Sequence, residues 1–322
     1  PHQRKLANVR RATRAPRTLT PPRDYAGPVT VAASIVGALL VLVALRDVFD
    51  TLLHPHGRGV VGEGLVRIVW RAARRIARRN HAALSFAGPA SFVAVIALWG
   101  GLVLVGFALV YWPHLPDGFT FQPGLDPATQ GGFDDALYFS MTELASLGTG
   151  DIVALDDGFR ILGPVETLIG LGLLTASISW ILLLYQVLSH YRALSHEISL
   201  LLEAQKERDT ALADLDPAAA SSVLEDLTSR FLSLRDDLVH SPIAYYFHPR
   251  DSRHALPVIL PGLIEAVDKC EEPDHDPALR FQATMLRHAI DDLLETIGER
   301  FLGDEVSADE ALEAYRRDHL WD

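Results

Sequence analysis

The apolar residues of this chain are gathered into runs long enough to cross a bilayer, where only structures that pair their own backbone polar groups survive. The first run covers about Gly27–Leu45, the second Pro89–Trp112 and the third Ile161–His190. At a helical rise of about 1.5 Å per residue, each is long enough to cross a hydrocarbon layer roughly 30 Å thick. The third, at about 30 residues, exceeds one crossing and is expected to tilt or to continue out of the membrane as a helix. Tyr111 and Trp112 close the second run, as aromatic rings do at headgroup level.

Charge lies between these runs. The formal net charge is −12, yet about the first 80 residues are basic and about the last 110 acidic. A basic stretch beside membrane spans points to membrane-proximal anchoring and away from nucleic-acid binding. Cys270 is the only cysteine, which excludes an intrachain disulfide and a Cys-based metal site. Lysine occurs only at Lys5, Lys206 and Lys269, an arginine bias that hints at a GC-rich bacterial genome. Residues 1–25 do not read as a signal peptide. The apolar run behind them is long, ends in Arg46 and Asp47, and lacks a small-residue cleavage site.

After the first run, Pro55, Gly57 and Gly59 break the helix. Residues 62–80 are too charged to span. Leu65, Val69, Ala72 and Ile76 share one helical face, and Arg67, Arg71, Arg74 and Arg78 the other. Between two spans this pattern predicts an interfacial amphipathic helix on anionic lipids, the competing reading being a helix docked on a soluble domain.

The segment between the second and third runs is the most informative. A polar Gly/Pro/Asp-rich loop leads to a short helical stretch, about Asp134–Ala145, which stops at SLGTGD (Ser146–Asp151). A helix too short to span, followed by a Gly-rich extended stretch, predicts a re-entrant loop. Such backbone must be buried in protein or line a water-filled cavity. A dehydrated cation needs a ring of oxygens to replace its water shell. Extended backbone through Leu147, Gly148 and Thr149 can aim carbonyls at an axis, and Ser146 can add a hydroxyl. One loop supplies a fraction of such a ring, so several copies must surround the axis. From Pro113 to Arg160 the acidic residues are Asp117, Asp126, Asp134, Asp135, Glu143, Asp151, Asp156 and Asp157, against Arg160 alone. Repeated around an axis, they make a negative mouth that concentrates cations.

ALYFSMTELASLGTGD resembles the pore helix and selectivity filter of the potassium-channel superfamily, whose usual filter is Thr-Val-Gly-Tyr-Gly-Asp. Ser146 stands for the Thr, Leu147 for the Val, Gly148 for the first Gly, Thr149 for the Tyr, Gly150 for the second Gly and Asp151 for the Asp. Gly170 falls where the family often has an inner-helix hinge, and Leu171, Leu174 and Ile178 match its cavity-lining positions. The resemblance covers about Pro89–His190. It implies a pore-loop channel fold of two spans and a re-entrant pore helix; with the first apolar run and the helical segments past His190, the expected whole is an all-α membrane protein with three transmembrane helices plus the re-entrant pore helix per subunit and an all-helical soluble tail. The resemblance also implies a homotetramer and a permeant K+ or Na+ coordinated by Ser146–Gly150, with no cofactor and no enzymatic activity. Two departures bear on ion choice. Thr149 cannot form the aromatic cuff that Tyr makes against the pore helices, and Ser146 has lost a methyl. Tyr138 and Phe139 are candidates to fill the space behind Thr149. Glu143, on the pore helix, is left with three readings: a brace, an ion ligand or a protonated carboxyl. Glu166 is read as a tie from the inner helix to the pore helix, the plainer reading being a lipid-interface or intersubunit salt bridge, which is favoured over ion binding.

Three parts follow: residues 1–88 (basic arm, first span, interfacial helix), 89–190 (pore domain) and 191–322 (helical tail). Residues 51–88 carry seven Arg and residues 113–160 one, so the filter is expected outside and the tail inside a bacterial cell membrane. Arg4, Lys5, Arg10, Arg11, Arg14, Arg17 and Arg23 conflict with that orientation. The tail lacks a phosphate-binding glycine motif, and an unidentified regulator is expected to act on it. His240, His248, His254, His275, His288 and His319 fit no ligand spacing and read as scattered surface residues. Asp50, His54 and His56 form no catalytic constellation. The alternative function is a non-conducting receptor or scaffold with a degenerate pore loop.

Overall fold

The computed structural model describes residues 27–52, 59–77, 81–126, 129–249, 251, 253, 255–303 and 307–321. The basic arm, His54, His56, Arg78 and His254 lie outside the described residues. Nine α-helices are described: α1 (Pro28–Leu52), α2 (Val60–Ala77), α3 (Ala87–Tyr111), α4 (Phe133–Leu144), α5 (Asp157–Arg208), α6 (Pro217–His240), α7 (Leu256–Cys270), α8 (Pro277–Ile297) and α9 (Ala308–Asp318). Two short strands, β1 (Phe119–Phe121) and β2 (Ile152–Ala154), pair antiparallel with Phe119 opposite Ala154. Pro28–Leu52, Ala83–His114 and Asp157–Arg208 are long and apolar enough to cross a membrane. The chain is an all-α membrane protein.

Helices α1 and α3 run antiparallel and meet at glycines. A Cβ on Gly37 would stand 2.3 Å from the Gly106 carbonyl, and one on Gly106 2.8 Å from the Gly37 carbonyl. Small residues admit such close backbone approach, which drives helix association where lipid removes the hydrophobic incentive. The α1 helix runs past Arg46 and Asp47 to Leu52, beyond the expected end at Leu45. The cause is Asp47, which is buried rather than solvated. Its carboxylate accepts from the N–H groups of Val61 (2.9 Å) and Gly62 (3.0 Å) and from Trp99 Nε1 (2.8 Å). It therefore caps the start of α2, where unpaired N–H groups favour an anion, and pins that start to α3.

Helix α2 buries a face that the sequence reading did not single out. Its buried stripe is Val66, Trp70 and Ala77, not Leu65, Val69, Ala72 and Ile76. Arg74 turns inward to Asp318 of α9 at 2.8 Å, and Trp70 Nε1 donates to the same carboxylate at 2.9 Å. The helix is thus docked on the tail, while its predicted apolar face remains open.

Helix α5 continues unbroken through 52 residues from the pore region into the tail, so the boundary at residue 190 falls inside one helix. Asp156 caps its start by accepting from Gly158 N–H, and Asp209 in left-handed conformation (φ 50°) ends it. In the tail, Asp216, Asp276 and Ser307 cap α6, α8 and α9, and Ser307 and Glu310 close a capping box. Buried apolar side chains form two cores. One joins α2, the inner half of α3, α5 and the whole tail, through residues such as Val66, Trp99, Trp180, Phe231, Leu260 and Leu286. The other fills the opposite end, with Val103, Tyr111, Phe119, Phe139 and Ile152. Helix α2 and the tail therefore share one side, and β1, β2 and the SLGTGD segment lie at the other.

Candidate functional site

Helix α4 starts at Gly132, whose N–H donates to Asp135 at 3.0 Å, and Asp134 and Asp135 favour its positive end. Its last turn closes through Ala145 N–H to Met141, Ser146 N–H to Glu143 and Leu147 N–H to Thr142, at 2.8–3.1 Å. The chain then turns into an extended segment without regular pairing.

That segment has an unusual backbone. Ser146 (φ 57°), Gly148 (φ 52°) and Gly150 (φ 72°) are left-handed, while Leu147 and Thr149 between them are not. Alternating handedness turns successive peptide planes so that their carbonyls share one side. Gly takes this conformation freely, whereas an L residue pays about 1–2 kcal/mol. Ser146 is the non-glycine member of the series. Its missing branch eases this conformation, which is a stronger outlier for a β-branched residue. All side chains from Ala145 to Gly150 are exposed, Leu147 at 66%.

The segment is anchored on its far side. Asp151 accepts from Tyr138 OH on α4 (2.8 Å), from Thr149 Oγ1 (2.5 Å) and from its neighbour Ile152 N–H (3.1 Å). The Thr149 hydrogen bond, foremost, holds the Asp151 carboxyl below its ordinary range. Gln122 donates through Nε2 to the Gly150 carbonyl (3.2 Å) and through its backbone N–H to the Asp151 carbonyl (2.9 Å). The aromatic brace missing at Thr149 is supplied from the pore helix by Tyr138. Phe139 does not fill that space; it is buried against Tyr111 and Phe119.

Glu166 makes the tie that its first reading gave it, and not a salt bridge. It is fully buried on α5 and accepts from Tyr111 OH of α3 (2.9 Å) and Ser140 Oγ of α4 (2.5 Å). One carboxylate thus ties the outer, pore and inner helices together. Tyr111 is accordingly a core residue and not a headgroup anchor. Glu143 lies against α5: its Oε2 is 3.1 Å from where a Gly163 Cβ would stand, and its carbonyl accepts from Thr167 Oγ1 at 2.9 Å. Gly170 sits in unbroken helix and serves close packing, since a Cβ there would fall 2.1 Å from the Leu144 carbonyl. Leu171, Leu174 and Ile178 are exposed in the single chain, with Ile161, Leu168 and Leu182 on the same stripe.

The histidines divide. His319 is buried, ringed by Trp70, Tyr245 and Tyr315 at 4.8–4.9 Å and by His248 at 5.7 Å. Sequence spacing gave no sign of this, because the four partners come from three separate stretches. Among the described residues no group of His, Cys, Asp and Glu is arranged to hold a metal ion.

Residues 98–186 match a family model described as an ion channel. That stretch holds most of α3, the whole of α4, the SLGTGD segment and the outer part of α5. A curated relative from Bacillus subtilis (strain 168), described as an uncharacterized membrane protein, is 23% identical over 279 residues, covering 83% of this chain and 79% of its own. The likeness therefore reaches well beyond the channel-like stretch. No solved structure matches.

Proposed function

We propose that the chain is one subunit of a homotetrameric, weakly selective monovalent cation channel in a bacterial cell membrane, with the tail cytoplasmic. The observation that carries this reading is the left-handed alternation at Ser146, Gly148 and Gly150 in a segment that is exposed along its length. Four such segments around an axis supply stacked carbonyl rings for a dehydrated K+ or Na+. The carboxylates of Asp134, Asp135 and Asp156 and the C-terminal end of α4 add negative potential along the path. The exposed stripe through Leu171, Leu174 and Ile178 lines the cavity below or meets neighbouring inner helices. Selectivity is weak because the ring at Thr149 is held by a single-residue link through Asp151 to Tyr138 and not by wedged aromatic rings.

The test is K+, Na+ and Ca2+ flux through purified protein in liposomes, with bi-ionic reversal potentials. A K+/Na+ permeability ratio within about tenfold is expected, equivalent to about 1.4 kcal/mol of discrimination, and Thr149→Tyr is expected to raise it. Anion flux, strong K+ selectivity or silence from an intact tetramer would overturn the reading; silence would favour the receptor or scaffold.

A further inference from the structure

Helix α2 has three faces, and only one is accounted for by the tail. Val66, Trp70 and Ala77 are buried. At 100° per residue, Arg67, Arg71 and Arg75 form a second face, all exposed. Ile68, Ala72 and Ile76 form a third beside it, with Leu65 and Val69 at its edge; Ile68 is 61% and Ile76 59% exposed. Arg67 pairs with Glu63 on its own helix, and among the described residues Arg71 and Arg75 have no carboxylate partner.

The open apolar face has no way to turn inward. Asp47 holds the start of the helix, and Asp318 holds its middle through Trp70 and Arg74. The helix lies in sequence between two spans, α1 and α3, so it stays at membrane level. An exposed isoleucine stripe flanked by arginines, fixed at that level, fits a leaflet with an acyl boundary and anionic phosphates.

We propose that the outer two faces of α2 dock on anionic phospholipid, Ile68 and Ile76 entering the acyl boundary while Arg67, Arg71 and Arg75 take the phosphates. The helix then forms a layer between lipid on one side and the tail on the other. This holds whether or not the pore conducts.

The experiment places an environment-sensitive fluorophore on Ile68→Cys in the full chain. Cys270 is buried and its thiol is pushed up to about 11, so it labels little, and the unsubstituted chain labelled in parallel gives the background. Quenching by brominated acyl chains is compared in phosphatidylcholine vesicles and in vesicles with about one-third phosphatidylglycerol; about twofold more quenching is expected in the anionic mixture. Arg71→Gln/Arg75→Gln should erase that increase, and Arg71→Lys/Arg75→Lys should keep it. Equal quenching in both mixtures, or loss of the increase in the Lys variant, would overturn the proposal. So would a probe shielded from both lipid and water, which would assign the face to a neighbouring copy of the chain.

Discussion

The pore region and the tail use similar helices to opposite ends. In the tail, Leu224, Leu227, Phe231, Leu260, Leu286 and Leu293 are buried by helices of the same chain, and caps close the helix starts. In the pore region, the stripe from Ile161 to Leu182 and the whole Ala145–Gly150 segment are left uncovered. The tail closes its core within one copy; the pore region carries surface and backbone left open for lipid, ions or further copies. The difference also shows in polar groups. Glu166 gathers donors from two other helices and Asp151 fixes the strained loop, whereas tail carboxylates, Asp318 excepted, mostly cap helices or pair at the surface.

The sharpest way to break this contrast is Gly170→Ala. The added methyl would lie 2.1 Å from the Leu144 carbonyl, closer than any relaxed contact, so α4 must leave α5. Loss of the proposed tetramer by native mass measurement is expected, with the tail's helicity retained. An intact, conducting tetramer would show that α4 and α5 are not packed so closely. Next in size is Glu166→Ala, which strands the Tyr111 hydroxyl, while Ser140 Oγ keeps the Leu104 carbonyl at 3.0 Å; one buried donor without a partner costs roughly 1–3 kcal/mol. The thermal midpoint of the tetramer is expected to fall strongly, and less for Glu166→Gln, which keeps an acceptor.

The smallest effect belongs to the tail and is read by pH. Burial, then His248 and Arg74, hold the His319 imidazole well below its ordinary range, so it stays neutral when docked. The released residue would take a proton near its usual value of about 6.5, whereas the docked one would not. Docking is therefore fully stable above that value and weakens as pH falls through it, by at most about 1.4 kcal/mol per pH unit. Asp318, adjacent in sequence, stays engaged with Trp70, Arg74 and Tyr245. Amide protection across residues 307–321 in the full-length protein, taken relative to the intrinsic exchange rate at each pH, should fall from pH 7 to pH 5.5. His319→Phe should flatten that dependence; the same slope in the variant would assign it to another group.

The spans, the pore helix and the tail helices were legible because their signals are local: apolar run length, helical period and caps. The boundaries of α4 differ by one residue from the expected Asp134–Ala145 at each end. What escaped was every feature made by residues far apart in sequence. Asp47 looked like the charged end of a span, yet it caps a helix fourteen residues later. The protein-facing stripe of α2, Val66, Trp70 and Ala77, went unseen because it is not the helix's most apolar stripe, which stays open. Tyr138 and Phe139 were both candidates to stand behind Thr149, and only the placement of Asp151 beside Tyr138 separates them. The β1–β2 pairing, three residues long on each side, carries too short an alternation to stand out.

The unbroken run of α5 has a mechanical consequence. Fifty-two residues in one helix make a rod of roughly 78 Å, from the rim of the Asp151 loop to the last turn at Arg208. A rod without a joint transmits twist. Pro164 removes one rung of its ladder near the outer end, but the stretch from Leu171 onward has no proline. Any event that rotates the tail end of the rod by a few degrees therefore carries Leu174 and Ile178 around the axis by a similar angle. The torque reaches them directly, with no relay of side chains between.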